Sequence, residues 1–271
     1  MSYYCSNHLI PDVSNAVFYT FNYIEMNVVF MTFGSHANYI DAANRLINQA
    51  KQLNIFKETI LYTPDYLQKD PDFWTTHGNF IMNNRRGYGY WLWKSYLIKK
   101  KMENMADNDI LLYLDGGCEL SVGRKKELLE CINTVKTDKI VGSTICTEKY
   151  WNKMDLIEKL GMNANEYLDT PQRQGGTNLF LVCKETRQLV NEWYELCCDY
   201  HNVDDSASVI PNLKCFREHR HDQSIFSLLT KKYNLFSKKN LSDAVHIIRN
   251  RTGGSKIGGV KTFYNTSLGH C

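Results

Sequence analysis

The stretch DILLYLDGGCE, residues 109–119, decides how the rest of the chain is interpreted. Five apolar residues run without interruption between Asp109 and Asp115, and two glycines follow the second aspartate. A short unbroken apolar run suits a strand buried on both faces of a parallel sheet, and the glycines directly after it favour a strand over a buried helix. We therefore predict that Asp115 and Glu119 stand at the carboxyl end of a strand, where open α/β sheets bind their ligands.

The end of this run can be interpreted in two ways. Asp115-Gly116 is a common turn sequence and could simply lead into a helix. Alternatively, Asp115 and Glu119 could hold a hard cation that bridges to phosphate oxygens, because Mg and Mn prefer carboxylates and water as ligands. The run alone leaves both interpretations open.

Length and composition limit the class of protein. A chain of 271 residues and 31.5 kDa has room for one large α/β domain. Its formal net charge of +3 is too small to predict a nucleic-acid partner. Nine cysteines, odd in number and scattered, indicate a reduced, cytoplasmic compartment.

The N-terminal region is the one place where the sequence invites a membrane interpretation. Residues 16–33 are apolar and aromatic, but Asn22, Glu25 and Asn27 interrupt them and no basic start precedes them. This pattern predicts neither a signal peptide nor a transmembrane segment. Peripheral association with a membrane stays open.

Alternating strands and helices predict the fold class. Residues 27–34 read as a buried strand, residues 37–53 as an amphipathic helix and residues 58–63 as a second strand, which together make a βαβ unit and imply a parallel sheet. The turn after the first strand contains a single glycine, Gly34, so the dinucleotide fingerprint and the P-loop are both missing.

The remaining chain continues this alternation, apart from residues 64–84, which we predict to be a long loop. We expect helices over residues 90–105, 122–134, 148–160, 185–200 and from 221 onward, with strands at residues 139–142, 179–182 and 244–248. A double-glycine turn, Gly175-Gly176, should precede the strand that ends at Val182. The expected architecture is a mostly parallel central sheet flanked by helices.

Polar clusters fall at the ends of these elements, and their order carries a resemblance. They are residues 32–35, 85–94, 115–119, 174–178 and 221–223, followed by His246 and a basic tail. Together they resemble the GT-A (Rossmann-like) fold of nucleotide-sugar glycosyltransferases, particularly the retaining, glycogenin-like members. The resemblance implies a single α/β domain over residues 1–271, with a nucleotide-binding half at about 27–120 and a sugar and acceptor half at about 121–260.

The resemblance implies a metal site with a degenerate motif. Where the family has Asp-x-Asp, this chain has Asp115-Gly116-Gly117, which lacks the second carboxylate. Glu119 substitutes for it, or fewer protein ligands hold the Mn or Mg ion, or no divalent cation binds. The resemblance also makes His246 a candidate metal ligand, although a lone histidine in a strand is commonly a core residue.

The resemblance further implies the residues that bind the donor and carry the reaction. Asp222 and Gln223 match a pair that lies beside the anomeric carbon of the sugar, although Asp222 would also suit a helix N-cap. Lys256 is the implied diphosphate contact, with Arg249 and Arg251 as alternatives. The other implied donor-binding residues are Thr32, Gly34, Arg86, Lys94, Asp115, Gly175, Gly176 and Asn178.

The resemblance implies transfer of a sugar from a UDP-linked nucleotide-diphospho-sugar to an acceptor hydroxyl of a glycan. The Asp-Gln pair leans towards retention of anomeric configuration. Two alternatives remain: a non-catalytic sugar- or nucleotide-binding module, and a sugar-1-phosphate nucleotidyltransferase. The latter expects a glycine-rich basic loop after the first strand, and residues 32–36 do not provide one.

Overall fold

The structure is a computed structural model, and it describes residues 27–257. The aromatic segment before residue 27, which carries the membrane prediction, lies outside the described residues. The strands are β1 (Val28–Phe33), β2 (Glu58–Tyr62), β3 (Ile110–Leu114), β4 (Cys118–Glu119), β5 (Ile140–Thr147), β6 (Pro171–Leu181) and β7 (His246–Ile247). The helices are α1 (Ala37–Leu53), α2 (Pro64–Lys69), α3 (Pro71–Asn83), α4 (Gly87–Tyr90), α5 (Leu92–Glu103), α6 (Lys125–Asp138), α7 (Met154–Lys159), α8 (Asn165–Leu168), α9 (Lys184–Cys198) and α10 (Asp222–Lys232).

Five strands form the central sheet in the order β2-β1-β3-β6-β5. Strands β2, β1 and β3 are mutually parallel, whereas β6 runs antiparallel to both of its neighbours, β3 and β5. Four of the five strands therefore point the same way, which confirms the predicted α/β class with a mostly parallel sheet. Strands β4 and β7 form a separate antiparallel pair.

The core lies on both faces of this sheet because successive residues of a strand point to opposite sides. On one face, Met31 and Phe33 of β1 pack with apolar residues of α5, α9 and α10. On the other, Val28 and Phe30 pack with those of α1 and α6. All five residues of β3 are buried, so the continuous apolar run at residues 110–114 marks a central strand.

The prediction of a loop over residues 64–84 is wrong, because this segment forms α2 and α3. Pro64 and Pro71 each occupy the start of a helix, where the missing N–H of proline costs no hydrogen bond. Asp70 caps α3 by accepting a hydrogen bond from the backbone N–H of Phe73 at 3.4 Å. Leu67 and Phe73 are fully buried, which fixes both helices against the core.

Other boundaries also differ from the predictions: α6 continues to Asp138, β5 continues to Thr147, and β7 covers only two residues. The helix expected over residues 148–160 is divided into a 3-10 turn, Glu148–Tyr150, and α7. The double-glycine segment is part of β6, which is hydrogen-bonded on both sides, and is therefore not a turn before a strand.

The structure also bears on membrane-spanning helices and on the state of the cysteines. Within residues 27–257, no helix is long and apolar enough to cross a membrane. Six of the cysteines in this range have free thiols, and Cys146 takes part in a disulfide.

Candidate active site

Asp115 is fixed at the point where β3 ends. Its backbone N–H donates to the carbonyl oxygen of Gly176 on β6 at 2.8 Å. Its Oδ1 accepts a hydrogen bond from the Tyr113 hydroxyl at 2.7 Å. The side chain is nevertheless 46% exposed, so the structure holds this carboxylate in one orientation while leaving it open to a ligand.

Lys94 of α5 is buried between two carboxylates. Its Nζ lies 3.3 Å from Asp115 Oδ1 and 3.1 Å from Asp222 Oδ2, and the side chain is 3% exposed. Burial disfavours the charged ammonium, but the two carboxylates outweigh burial and raise the pKa of Lys94. Three residues that the sequence resemblance placed in the site are therefore brought together as a carboxylate–ammonium–carboxylate cluster.

Asp222 and Gln223 begin α10 but have different surroundings. Asp222 is almost completely buried behind Lys94, and its carbonyl oxygen accepts a hydrogen bond from Trp193 Nε1 at 2.9 Å. Burial raises the pKa of its carboxyl to about 6, with Lys94 opposing this shift and the charge of Asp115 adding to it. Gln223 instead lines the adjacent cavity, where its amide is held by Gln172 at 2.7 Å.

The two glycines of β6 make room for these carboxylates. A Cβ atom on Gly176 would lie 2.1 Å from Asp115 Oδ2, and one on Gly175 would lie 3.2 Å from Asp222 Oδ2. This close packing alone explains why glycine occupies both positions. The predicted approach of a donor sugar to these glycines stays a prediction. Asn178, the other predicted residue of β6, is fully buried and donates to the Gln174 carbonyl at 2.9 Å.

A cavity of about 310 Å³ opens in front of Asp115. Its wall contains two arginines, Arg220 and Arg249, together with Trp151, whose ring lies 4.0 Å from the Arg220 guanidinium carbon. Burial lowers the pKa of Arg220, and the neighbouring charge of Arg249 lowers it further, while Glu218 opposes both. The cavity therefore combines one fixed carboxylate with two cations that repel each other, a combination suited to an anionic ligand. The other lining residues are Gly117, Cys118, Ile145, Cys146, Gln172, Gln174, Gly176, Thr177, Gln223 and Ile247.

Arg220 is the functional candidate that sequence reasoning missed. It stands two residues before Asp222, in the run Arg220-His221-Asp222-Gln223, so its place next to the predicted Asp-Gln pair was the available signal. His221 has a positive φ of 56° and stacks on the ring of Tyr90 at 5.1 Å, which defines the sharp entry into α10.

Gly117, which stands where the predicted Asp-x-Asp motif would have its second carboxylate, has a steric explanation. A Cβ atom on Gly117 would lie 3.1 Å from the Cα of Arg249. The carbonyl of Gly117 accepts a hydrogen bond from Asn250 N–H at 2.8 Å. The segment that supplies Arg249 therefore packs against Gly117 and leaves little room for a side chain there.

Glu119 serves a different purpose from Asp115. Its buried oxygens accept hydrogen bonds from the Gln49, Asn250 and Ser255 side chains and from the backbone N–H of Lys256. Although burial favours the neutral acid, these donors lower the pKa of Glu119 to about 2. Glu119 therefore anchors residues 250–257 to the sheet.

The residues present do not fit a divalent cation site. His246 pairs with Glu119 across β4 and β7, and its Nε2 lies 3.3 Å from the Ser121 hydroxyl. The oxygens of Glu119 are occupied by donors, and Asp115 is engaged by Lys94 and the Tyr113 hydroxyl. Across residues 27–257, the structure assembles no group of three or more His, Cys, Asp or Glu side chains that could hold a metal ion.

The other predicted donor-binding residues lie outside the cavity wall. Thr32 is fully buried and donates to the Leu114 carbonyl at 2.7 Å. Gly34 allows the backbone of α1 to approach, since a Cβ atom would lie 2.8 Å from Ile40 Cα. Arg86 is exposed and pairs with Asp205 at 2.9 Å, and Lys256 has an exposed side chain.

Arg45 of α1 stabilises the backbone around the site through hydrogen bonds. Its Nη2 donates to the carbonyl oxygens of Gly116 and Cys118, both at 2.9 Å, and its Nη1 donates to the Thr252 carbonyl at 2.6 Å. One buried guanidinium therefore holds the turn after Asp115 and the segment after Arg249 together.

Comparison with known proteins gives a likeness of fold only. No family model matches the sequence, and no curated protein matches it. The apo crystal structure of mouse xyloside xylosyltransferase 1 aligns over 78% of this chain and 84% of its own, at 12% identity and a TM-score of 0.44. The apo structure of the bifunctional glycosyltransferase WbbM aligns over 78% of this chain and 38% of its own, at 15% identity and a TM-score of 0.39. At these values neither likeness bears on the reaction of this chain, and the glycogenin-like subtype stays a prediction.

Proposed function

We propose that this chain is a glycosyltransferase that binds a nucleotide-diphospho-sugar, UDP-linked, and passes the sugar to an acceptor hydroxyl of a glycan. The observation that carries the proposal is the cavity of about 310 Å³ in front of β3, which combines a fixed carboxylate with two arginines. Arginine binds phosphate oxygens through two parallel hydrogen bonds, so Arg220 and Arg249 suit a diphosphate. The half-exposed carboxylate of Asp115 suits a hydroxyl of the ribose or the sugar.

The reaction needs little covalent assistance from the protein. As the bond between sugar and diphosphate breaks, negative charge develops on the departing phosphate and positive charge on the sugar ring. The acceptor oxygen then bonds to the anomeric carbon, and its proton would pass to the departing diphosphate. Arg220 and Arg249 would stabilise the first charge, and the carboxylate of Asp115 would stabilise the second. Because Tyr113 and Lys94 already orient Asp115, little reorganisation is needed when the charges develop.

In this proposal Lys94 and Asp222 do not line the cavity but act through Asp115. Lys94 holds Asp115 in place, and Asp222 balances the charge of Lys94. Gln223 presents its side chain to the cavity, where it would contact the sugar. As part of this proposal, the Asp222-Gln223 pair favours retention of the anomeric configuration of the sugar.

The decisive experiment combines calorimetry of UDP binding with a transfer and hydrolysis assay on a panel of UDP- and GDP-sugars, with and without manganese. We expect UDP to bind the purified chain and one donor to be turned over. Arg220→Gln should weaken UDP binding by about tenfold or more, because a charge-assisted hydrogen bond to phosphate is lost. Asp115→Ala should abolish turnover and weaken binding of the sugar-bearing donor.

Arg217→Gln is the matched control, because Arg217 also faces the ring of Trp151, at 5.8 Å, but lies outside the cavity wall. Its UDP affinity should equal that of the unmodified chain. Binding of UDP without turnover of any donor would favour the non-catalytic binding module. A chain that neither binds UDP nor acts on any donor would refute the proposal.

A further inference from the structure

A second cavity, of about 480 Å³, lies beside β5 and β6 and is separate from the candidate active site. Strand alternation explains the separation, because Gln172 and Gln174 of β6 line the first cavity while Arg173 between them lines the second. Four basic side chains contribute to its wall, and Glu166 is its acidic residue. Its lining residues include Arg173, Lys231, Lys238, Lys239, Phe236 and Asn240.

Within residues 27–257, no group accepts a hydrogen bond from the guanidinium of Arg173. Its guanidinium carbon lies 4.0 Å from the ring centre of Phe236, so the planar group is held against an aromatic face. Its Nη1 is buried and makes no hydrogen bond, and the guanidinium forms no ion pair with any residue of the described chain. Burial lowers its pKa to about 10, with Glu148 opposing the shift.

The charge around Arg173 is incompletely balanced. Glu148 is fully buried and accepts a hydrogen bond from Lys231 Nζ. One carboxylate therefore faces two cations, since Arg173 and Lys231 both interact with Glu148 and repel each other. Lys239 pairs with Glu130 at 3.3 Å, whereas Lys238 is exposed and makes no ion pair within residues 27–257.

We propose that this second cavity is a binding site for a phosphate or sulfate group, held by Arg173 with the assistance of Lys238. A tetrahedral oxyanion would supply the hydrogen-bond acceptors that the guanidinium lacks and would balance the excess positive charge. The cavity is larger than a bare oxyanion needs, which suits a phosphorylated or sulfated sugar. This site does not depend on the transferase activity proposed above, because none of these basic residues lines the first cavity.

Calorimetric titration of the full chain with inorganic phosphate, sulfate and glucose 6-phosphate tests the proposal. All three should bind, and tighter binding of the hexose phosphate would identify a phosphorylated sugar as the natural source of the group. Arg173→Gln should weaken binding by about tenfold or more, and Lys238→Gln by a smaller factor. Because Lys238 is exposed, its variant should fold even if the substitution of Arg173 destabilises the chain.

The matched control is Arg217→Gln, which makes the same substitution at an exposed arginine that lines neither cavity and should leave these affinities unchanged. Lys184→Gln, an exposed change elsewhere on the surface, should also leave them unchanged. Full binding by both Arg173→Gln and Lys238→Gln would overturn the proposal, and loss of binding in Arg220→Gln alone would then place the oxyanion in the first cavity. Absence of binding by the unmodified chain would overturn it as well.

Discussion

Lys94 and its two carboxylates form a cluster whose protonation should be visible in the stability of the protein. One buried positive charge, on Lys94, faces the buried carboxylate of Asp222 and the half-exposed carboxylate of Asp115, so negative charge is in excess if both aspartates are ionised. The fully buried member, Asp222, takes up a proton more readily than an ordinary aspartate, because burial favours its neutral form. The cluster therefore changes its charge in the mildly acidic range.

We predict a specific pH dependence from Asp222. Its pKa is about 6 in the folded chain, against an ordinary value of 3.8, so the folded state binds the proton more tightly than the unfolded state. Its contribution to the free energy of unfolding should be largest below about pH 4, should decrease as the pH rises through about 6, and should then level off. Urea unfolding of the unmodified chain and of Asp222→Asn between pH 4 and 7 measures this difference.

The comparison with Asp222→Asn is needed because other carboxylates change the free energy of unfolding with pH in the opposite direction. Glu119, with its pKa lowered to about 2, loses its stabilising effect as the pH falls through that value. Asp243→Asn, at an exposed position, should leave the pH dependence unchanged. A pH-independent difference between the unmodified chain and Asp222→Asn would show that the carboxyl does not titrate in this range.

Gly176 gives a steric prediction at the same site. An alanine Cβ there would lie 2.1 Å from Asp115 Oδ2, so the carboxylate must move away from Lys94 or β6 must shift. We expect Gly176→Ala to lower the free energy of unfolding by about 1–3 kcal/mol, the usual cost of overpacking, and to reduce donor binding. Urea denaturation and UDP calorimetry measure the two effects.

Gly123→Ala provides the control, because nothing lies within 4 Å of a Cβ atom at that position. It should be neutral or slightly stabilising. Equal stability of Gly176→Ala and the unmodified chain would mean that Asp115 is free to turn away, which would weaken its assigned role.

Among the elements, those with a strong local pattern could be predicted from the sequence. The spacing of apolar residues in α1 predicted where this helix begins and ends. The unbroken apolar run of β3 predicted that this strand is buried. The double glycine was wrongly predicted to form a turn. Glycine is needed there because the carboxylate of Asp115, which is distant in sequence, lies against Gly176. The helices α2 and α3 were missed since their polar and aromatic residues hide the few buried ones, such as Leu67 and Phe73.

The candidate site shows the same division. Asp115 could be named because it follows a recognisable strand, whereas Lys94, Asp222 and Gln223 were named from the resemblance to the GT-A fold. The function of Glu119 could not be foreseen, since its partners lie up to 137 residues away in the chain. Arg173 could not be assigned to a second cavity before its pairing within the sheet and its contact with Phe236 were known.

At the scale of the whole molecule, the sheet predicts that the two halves unfold together. Strand β3, at the end of the predicted nucleotide-binding half, pairs over five residues with β6 of the second half, from Ile110 with Leu181 to Leu114 with Thr177. Without β6, the central strand would become an exposed edge whose backbone groups are unpaired. The predicted single domain over the two halves thus has a physical basis that can be measured.

We predict one cooperative transition for residues 27–257. Hydrogen exchange followed by mass spectrometry across a urea series should show peptides from β1 and from α9 losing protection at the same midpoint. Leu112→Ala, in the middle of β3, should lower both midpoints equally, because removal of a fully buried leucine side chain costs about 2–5 kcal/mol. Val209→Ala, at a position 86% exposed, should leave both midpoints unchanged. If the β1 midpoint alone responds to Leu112→Ala, the two halves are independent folding units, and the cavity in front of Asp115 is built at an interface between domains.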